Sequence, residues 1–218
     1  MRVFVVAGSP TAHRPTGLAP GEDDRVIAAD LGAHHARRWG WPVHLLIGDL
    51  DSLEAEELRA AEQAGTPILR SPAAKDQTDT ELALAQALAW GADEIIICGA
   101  LGGRTDHLLA NVLLLAHPLL ATTDACLADG AEVVRLLRGA GENRGMSFAG
   151  TAGDLLSLLP LGGDAEGVST RGLRYPLADE VLYAGEARGV SNVFSAAHAE
   201  VTLRRGQLIC IHHKTGER

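Results

Sequence analysis

The first half of the chain alternates short apolar runs with stretches of helical periodicity, and this alternation constrains the fold more than any other feature. Strands that alternate with helices predict a parallel sheet. The helical stretches carry start and stop signals, such as the capping pairs Asp51 with Glu54 and Thr78 with Glu81, and the terminal Gly65. The predicted strands are 3–7, 26–29, 43–47, 67–69 and 94–98, and the predicted helices include 53–63, 82–88 and 108–115.

The second half has a different pattern, in which short stretches of alternating apolar and polar residues are separated by glycines. Such stretches are typical of antiparallel strands. The change predicts an α/β domain over residues 1–124 and a mainly β domain over 125–218. Arg205 and Gly206 predict the turn of a terminal hairpin, and the segment 138–153, with five glycines, is predicted to be a loop. The predicted strands here are 132–137, 154–159, 180–183 and 200–203.

Composition excludes several classes of protein. With 218 residues, of which 46% are hydrophobic, the chain is long enough for one large core or two modest ones. The formal net charge of −9 argues against a general nucleic-acid binder and favours a cationic or metal-bound ligand. The apolar amino-terminal run is too short for a signal peptide, and no run reaches membrane-spanning length. Cys98, Cys126 and Cys210 are odd in number and far apart, which indicates reduced thiols and a cytoplasmic protein.

Acidic residues follow several of the predicted strands. Because the strand-to-helix turns of an open parallel sheet meet at its carboxyl edge, these carboxylates are expected to converge. Converging carboxylates need a cation, and hard oxygen ligands suit Mg²⁺, which also binds substrate phosphates. The alternative is that each Asp only caps a helix, but the close pairs favour a metal site, since a helix start needs one cap. The candidate residues are Asp30, Asp49, Asp51, Asp76 and Asp79.

A glycine-rich segment, residues 99–104, lies between a predicted strand and a predicted helix. Free backbone amides and the positive end of a helix dipole at such a position can hold phosphate oxygens, although a structural turn would use the same glycines. Arg104 favours the phosphate site, because a guanidinium binds phosphate through two hydrogen bonds. Lys75 is a further candidate for a phosphate contact. The residues alone thus predict magnesium-assisted chemistry on a nucleotide or another phosphate.

The histidines carry less information. His34 and His35 have no cysteine or acidic partner at metal-ligand spacing, which predicts a surface helix. His107 is interpreted as a helix-start residue packed against the glycine-rich loop, rather than as a general base. His212 and His213 are predicted to be solvated.

The motifs in their order along the chain resemble the thiamine pyrophosphokinase family. In the first half the resemblance rests on segments 48–52, 75–84 and 99–111, the last of which contains Gly-Gly-Arg-Thr-Asp-His. In the second half it rests on segments 167–177 and 189–192. The resemblance covers nearly the whole chain, and the spacing of the motifs makes it specific.

The resemblance implies transfer of a diphosphate group from ATP to the hydroxyl of thiamine, with Mg²⁺ required. It also implies a three-layer α/β/α amino-terminal domain, a β-sandwich carboxyl-terminal domain, and a homodimer with active sites at the interface. By position, the implied catalytic residues are Asp49, Asp51, Asp79 and Arg104, and the implied metal ligands are Asp49, Asp51, Asp76 and Asp79. The implied ATP and diphosphate contacts are Asp30, Lys75, Gly102, Gly103, Arg104, Asp106, His107 and Asn111. The implied thiamine contacts are Ser169, Thr170, Leu173 and Tyr175.

Two positions depart from the family pattern. Leu31 stands where the family often has glycine, in the acidic segment after the second strand, and Tyr175 stands where some members have tryptophan. Either ring of the latter pair could stack on a cationic heterocycle. Two rival functions remain at this point: a diphosphokinase for another small alcohol such as a hydroxymethylpterin, and a non-catalytic sensor of a nucleotide or of thiamine diphosphate.

Overall fold

The computed structural model describes residues 1–51, 53, 55–72 and 76–216. It divides into two compact units, Met1–Gly130 and Ala131–Arg218. The predicted boundary lay between residues 124 and 125; the units divide later because the strand that begins at Asp124 pairs in parallel with its predecessor in the first sheet. None of the described helices is long and apolar enough to span a membrane.

The first unit is built on a parallel sheet with the strand order β6-β5-β1-β2-β3-β4. Its central strands are buried on both faces, which is why they read as continuous apolar runs. The strands are β1 (Arg2–Val6), β2 (Arg25–Ala29), β3 (Leu45–Gly48), β4 (Ile68–Arg70), β5 (Glu94–Cys98) and β6 (Asp124–Asp129).

Helices connect these strands: α1 (Gly32–Trp39), α2 (Ala55–Gln63), α3 (Asp79–Ala89) and α4 (Thr105–Leu114), followed by a 3-10 turn, Pro118–Leu120. The crossovers through α1 and α2 run along the sheet in one direction, and those through α3 and α4 run in the other. Because such crossovers are right-handed, α1 and α2 cover one face and α3 and α4 cover the opposite face. The predicted three-layer α/β arrangement is therefore confirmed.

The second unit is antiparallel and centred on its last strand, β12 (His198–His213). Along one side β12 pairs with β7, and along the other it pairs first with β9 and then with β8, while β10 and β11 extend these two neighbours. Apolar side chains from these strands pack in one core that includes Leu156, Val168, Phe194, Val201 and Leu208. The other strands are β7 (Glu132–Ala149), β8 (Leu155–Pro160), β9 (Ala165–Arg171), β10 (Glu180–Leu182) and β11 (Asn192–Val193). The prediction of a strand-rich second half is confirmed.

The segment 138–153 was predicted as a loop, and that prediction is wrong for most of its length. Residues 138–149 continue β7, which pairs with β12 over residues 132–140 and 144–149. At Gly139 a Cβ atom would lie 2.7 Å from the backbone of Arg204 and Arg205, so this glycine is required by the close approach of the neighbouring strand. Pairing with a long partner strand thus outweighs the weak strand propensity of glycine.

The predicted terminal hairpin at Arg205 and Gly206 is also wrong. Both residues lie within β12, which runs through them with a register shift between Leu203 and Arg205. The irregularity falls where β12 changes partners from β9 to β8. Here the glycine accompanies an irregularity within a strand instead of a chain reversal.

Three histidines differ from their predictions. His212 is buried rather than solvated, and its Nε2 lies 3.2 Å from Oδ2 of Asp154. His35 is buried at the inner face of α1, and His34 has an acidic partner after all, with Nδ1 2.6 Å from Oε1 of Glu57. The acidic partners come from distant parts of the chain, so sequence spacing could not reveal them.

Candidate functional site

A cavity of about 460 Å³ lies within the first unit at the carboxyl edge of its sheet. Its walls come from the loops after β1, β2 and β5, from the first turn of α3 and from the first two turns of α4. This is where the strand order turns from one direction to the other, and ligands bind at such points in open α/β sheets. Six predicted site residues line it: Asp30, Asp79, Gly102, Arg104, His107 and Asn111.

Asp30 and Asp79 face one another in this cavity and are connected by a side-chain hydrogen bond. Burial raises the pKa of Asp30, the hydrogen bond and charge of Asp79 raise it further, and it reaches about 7. Asp49 contributes to the same excess of negative charge. A cation bound in this cavity would therefore offset the repulsion between the carboxylates.

The backbone around these carboxylates is held in uncommon conformations. Asp30 and Leu50 have positive φ angles of 45° and 63°, although neither is glycine. This arrangement lets the amide of Leu50 donate to Oδ1 of Asp30 over 3.2 Å. A Cβ atom on Gly48 would lie 1.8 Å from the same oxygen, so the carboxylate occupies space that only glycine leaves open.

Ser71 is a site residue that the sequence did not reveal. Its hydroxyl donates to Oδ1 of Asp79 over 3.1 Å, and its amide donates to the carbonyl of Gly48. It thereby joins the end of β4 to the first turn of α3. A lone serine in a predicted loop carries no signal of such a role.

The predicted metal ligands are only partly assembled. Asp79 lines the cavity, while Asp49, Asp51 and Asp76 lie outside its lining, and the last two are exposed. Asp49 accepts a hydrogen bond from the amide of Asp51 over 3.2 Å. Among the described residues no group of three or more acidic, histidine or cysteine side chains is close enough to hold a metal ion. The donor chemistry still fits Mg²⁺, because burial and the neighbouring charges of Asp79 and Asp49 raise the pKa of Asp30, and a bound cation would relieve that repulsion.

The glycine-rich loop leads directly into α4, as predicted. Asn111, on the second turn of that helix, donates through Nδ2 to the carbonyl of Ala100 over 3.0 Å and so fastens the loop to the helix. Arg104 and Asp106 form a double hydrogen bond at 3.1 and 2.6 Å. The Arg104 guanidinium lowers the pKa of Asp106 to about 2, and Asp106 raises the pKa of Arg104. With a side chain 73% exposed, Arg104 can turn toward an anion in the cavity.

The loop after β1 supplies a wall that the sequence analysis missed. Gly8, Ser9 and Pro10 line the cavity beside the glycine-rich loop. The available signal was the apolar run 3–7 that ends in Gly-Ser, because it resembles the other strand ends that carry site residues. Because this segment contains no acidic residue, the sequence pattern did not predict it as part of the site.

Some predicted site residues lie elsewhere. Gly103 and Asp106 belong to the loop and helix start but not to the cavity lining, and Lys75 lies outside the described residues.

His107 is exposed in the first turn of α4 and lines the cavity. Leu31, the departure from the family pattern, also lines it.

The predicted thiamine contacts lie in the second unit and differ in exposure. Tyr175 is 61% exposed, whereas Thr170 and Leu173 are buried. The hydroxyl of Thr170 accepts a hydrogen bond from the amide of Leu177 over 2.9 Å, and that of Ser169 accepts from the amide of Asp179. These bonds hold the segment 171–179, which carries the ring of Tyr175 on its surface.

A parallel α/β sheet with acidic side chains and a glycine-rich loop at its carboxyl edge is the arrangement of proteins that bind nucleotides and other phosphates. Two family models match the chain: the thiamin pyrophosphokinase catalytic domain over residues 21–127 and the thiamin pyrophosphokinase vitamin B1 binding domain over residues 146–208. The chain belongs to the thiamine pyrophosphokinase family.

Individual relatives agree with this assignment. The chain is 29% identical to the thiamine pyrophosphokinase of Bacillus subtilis over 217 residues, which cover 96% of this chain and 97% of that protein. The crystal structure of a Bacillus subtilis thiamine pyrophosphokinase superposes with a TM-score of 0.88 at 26% identity, covering 99% of this chain and 100% of the other. A thiamin pyrophosphokinase family protein from Enterococcus faecalis gives a TM-score of 0.84 at 29% identity, covering 98% and 99%.

Proposed function

We propose that this protein is a thiamine diphosphokinase that transfers the diphosphate group of ATP to the hydroxyl of thiamine, giving thiamine diphosphate and AMP. The observation that carries the proposal is that Asp30, Asp79, the glycine-rich loop and Arg104 all line the same cavity. Most residues that line this cavity lie within the segment that matches the catalytic model, and the second unit contains the match to the vitamin B1 binding model.

In the proposed reaction the thiamine hydroxyl oxygen attacks the β-phosphorus of ATP in line. The bond between that phosphorus and the oxygen of the α-phosphate breaks, AMP leaves, and the hydroxyl proton passes to one of the aspartates. Asp49, Asp51, Asp76 and Asp79 would hold Mg²⁺, which when bound neutralises the phosphate charge. The phosphates would contact Arg104, Lys75 and the amides at Gly102 and Gly103, with Asp30, Asp106, His107 and Asn111 around them.

The acceptor pocket is proposed to include Ser169, Thr170, Leu173 and Tyr175. The exposed ring of Tyr175 is suited to a cationic thiazolium, because aromatic faces attract cations. We assign the cytoplasm as the location, since the buried residues Cys98, Cys126 and Cys210, all within the described part of the chain, form no disulfide.

A homodimer with shared active sites is part of the proposal. Helix α4, whose first turn lines the cavity, has no buried residue, and Leu109 and Leu113 on it are more than half exposed. Leu119 in the following 3-10 turn is equally exposed. Exposed apolar side chains grouped in this way mark protein interfaces, and a second copy of the chain is the partner that the family implies.

The deciding experiment incubates the purified protein with ATP, Mg²⁺ and thiamine and measures AMP and thiamine diphosphate. We expect both products in equal amounts and none without Mg²⁺. A parallel reaction with a hydroxymethylpterin tests the rival acceptor, and a preference for it would replace thiamine in the proposal. Binding of ATP and thiamine without any AMP would instead indicate a sensor.

A further inference from the structure

Ser9 connects the loop after β1 to the glycine-rich loop and to helix α1 through its three polar groups. Its amide donates to the carbonyl of Gly99 over 2.9 Å, and its hydroxyl donates to the carbonyl of Leu101 over 3.0 Å. Its carbonyl accepts from His35 of α1, where Nε2 lies 2.9 Å away. The loop after β1 is therefore fastened to the glycine-rich loop on one side and to α1 on the other.

The chemistry of His35 fixes its role in this contact. A carbonyl oxygen only accepts hydrogen bonds, so Nε2 must carry the proton. Burial lowers the pKa of His35, which keeps the ring neutral with Nδ1 unprotonated. Within the described part of the chain, Nδ1 has no hydrogen-bond partner. The ring also stacks on Trp39, with centroids 5.7 Å apart.

We infer that His35 is a positioning residue for the nucleotide: its Nε2–H holds the Ser9 carbonyl, and through Ser9 it sets the spacing of the two loops that enclose the phosphates. This inference deepens the proposed function and rests on it for the identity of the nucleotide. Gly8 and Ser9 line the cavity together with Gly102, whereas His35 itself does not. It acts through Ser9 and makes no contact with the substrate.

A competing explanation is that His35 only packs between α1 and the sheet. Two substitutions distinguish these explanations, because each keeps only one of two properties of the imidazole, the aromatic ring or the hydrogen-bond donor. His35→Phe keeps an aromatic ring against Trp39 but removes the donor. His35→Gln removes the ring but places an amide donor at nearly the same reach. A positioning role predicts that the glutamine variant works better than the phenylalanine variant, and a packing role predicts the opposite.

The experiment measures ATP binding at equilibrium with Mg²⁺, the KM for ATP, kcat, and amide hydrogen exchange over residues 8–12. For His35→Phe we expect the KM and Kd for ATP to rise about 10-fold, which is the scale of one buried hydrogen bond. We expect kcat and the KM for thiamine to stay within about 2-fold, because the lost contact is on the nucleotide side. Exchange over residues 8–12 should be faster, and His35→Gln should restore most of the ATP affinity.

His44 is the matched control. It also is a histidine with a lowered pKa whose ring takes part in one hydrogen bond, accepting through Nδ1 from the amide of Val26 over 3.0 Å. It directly precedes β3 and therefore lies at the amino-terminal ends of the strands, whereas the cavity lies at their carboxyl ends. His44→Phe should therefore leave ATP affinity unchanged, whatever it does to the melting temperature.

Three results would overturn the inference. They are unchanged hydrogen exchange over residues 8–12 in His35→Phe, a better ATP affinity for His35→Phe than for His35→Gln, and an equal loss of affinity in His44→Phe. Failure of the proposed function gives a different result, since the wild-type protein would then form no thiamine diphosphate. The exchange comparison still tests His35 in that case.

Discussion

Asp30 in the first unit and Asp154 in the second are the same chemical group in opposite surroundings. Asp30 faces the carboxyl of Asp79 and receives one backbone hydrogen bond, from Leu50, and its pKa rises to about 7. Burial would also raise the pKa of Asp154, but hydrogen bonds from the amides of Thr151 and Thr215 and from His212 outweigh burial and lower it to about 2. The surroundings in the first unit thus raise the pKa of an aspartate, and those in the second unit lower it.

The difference separates a binding site from a structural one. Asp154 accepts hydrogen bonds that stabilise its charge and that tie the turn after β7 to the end of β12. At Asp30, by contrast, the single backbone hydrogen bond does not offset burial and the nearby charges of Asp79 and Asp49, so the pKa rises. Perturbed carboxylates in a cavity are typical of functional sites. Substitutions at the two places should therefore affect different properties.

The largest expected effect is on catalysis. We predict that Asp79→Asn lowers the rate of thiamine diphosphate formation by at least about 100-fold, because the variant loses a charge that holds the metal and phosphates. The melting temperature should not fall, since the change also removes a repulsion with Asp30. Steady-state kinetics and thermal unfolding measure the two properties. The exposed Asp23→Asn is the control and should keep wild-type rates. Near-normal turnover of Asp79→Asn would remove this residue from the catalytic role.

At Asp154 the effect should fall on stability instead. We predict that Asp154→Ala lowers the free energy of unfolding by about 3 kcal/mol, because it leaves the buried His212 and the amides of Thr151 and Thr215 without their acceptor. Urea denaturation measures the change. Glu166→Gln weakens an exposed ion pair with Arg205 and should cost less than about 1 kcal/mol. Equal losses in the two variants would show that the buried network contributes no more than the surface pair.

The same carboxylate predicts an acid dependence of stability. Because its folded pKa lies below the unfolded value of 3.8, its contribution is complete above that pH and is lost as the pH falls toward 2. The shift corresponds to about 2 kcal/mol. Urea denaturation between pH 2 and pH 6 should show this loss in the wild type, and the loss should be smaller in Asp154→Asn. Parallel curves for the two proteins would contradict the assignment.

The fold was predictable where local pattern and tertiary structure agree. The central parallel strands of the first unit are buried on both faces, so they appear as apolar runs in the sequence. The long strands of the second unit were not recoverable in full. Residues 138–149 hold their conformation through pairing with β12, and no window of sequence contains both partners.

The candidate site was predictable to the extent that acidic residues and glycines follow strands. Asp30, Asp79, Gly102 and Arg104 were found in this way, and the topology brings them together. Ser9 and Ser71 were missed because their role comes from hydrogen bonds to segments far away in the sequence. The capping pair of Asp51 with Glu54 lies partly outside the described residues and stays a prediction.

The smallest expected effect is a change in the free energy of unfolding when Asp30 loses its charge. Asp30→Asn keeps an oxygen that can accept from Leu50 and adds an amide that can donate to Asp79, so it preserves the hydrogen bonds while it removes one of two neighbouring like charges. Asparagine also tolerates the positive φ at this position. We predict that the variant is more stable than the wild type by about 1 kcal/mol at pH 8, with lower turnover, since functional sites often retain destabilising charge. Urea denaturation at that pH is the measurement. A less stable variant would show that the protein already compensates the charge on Asp30, as it does on Asp154.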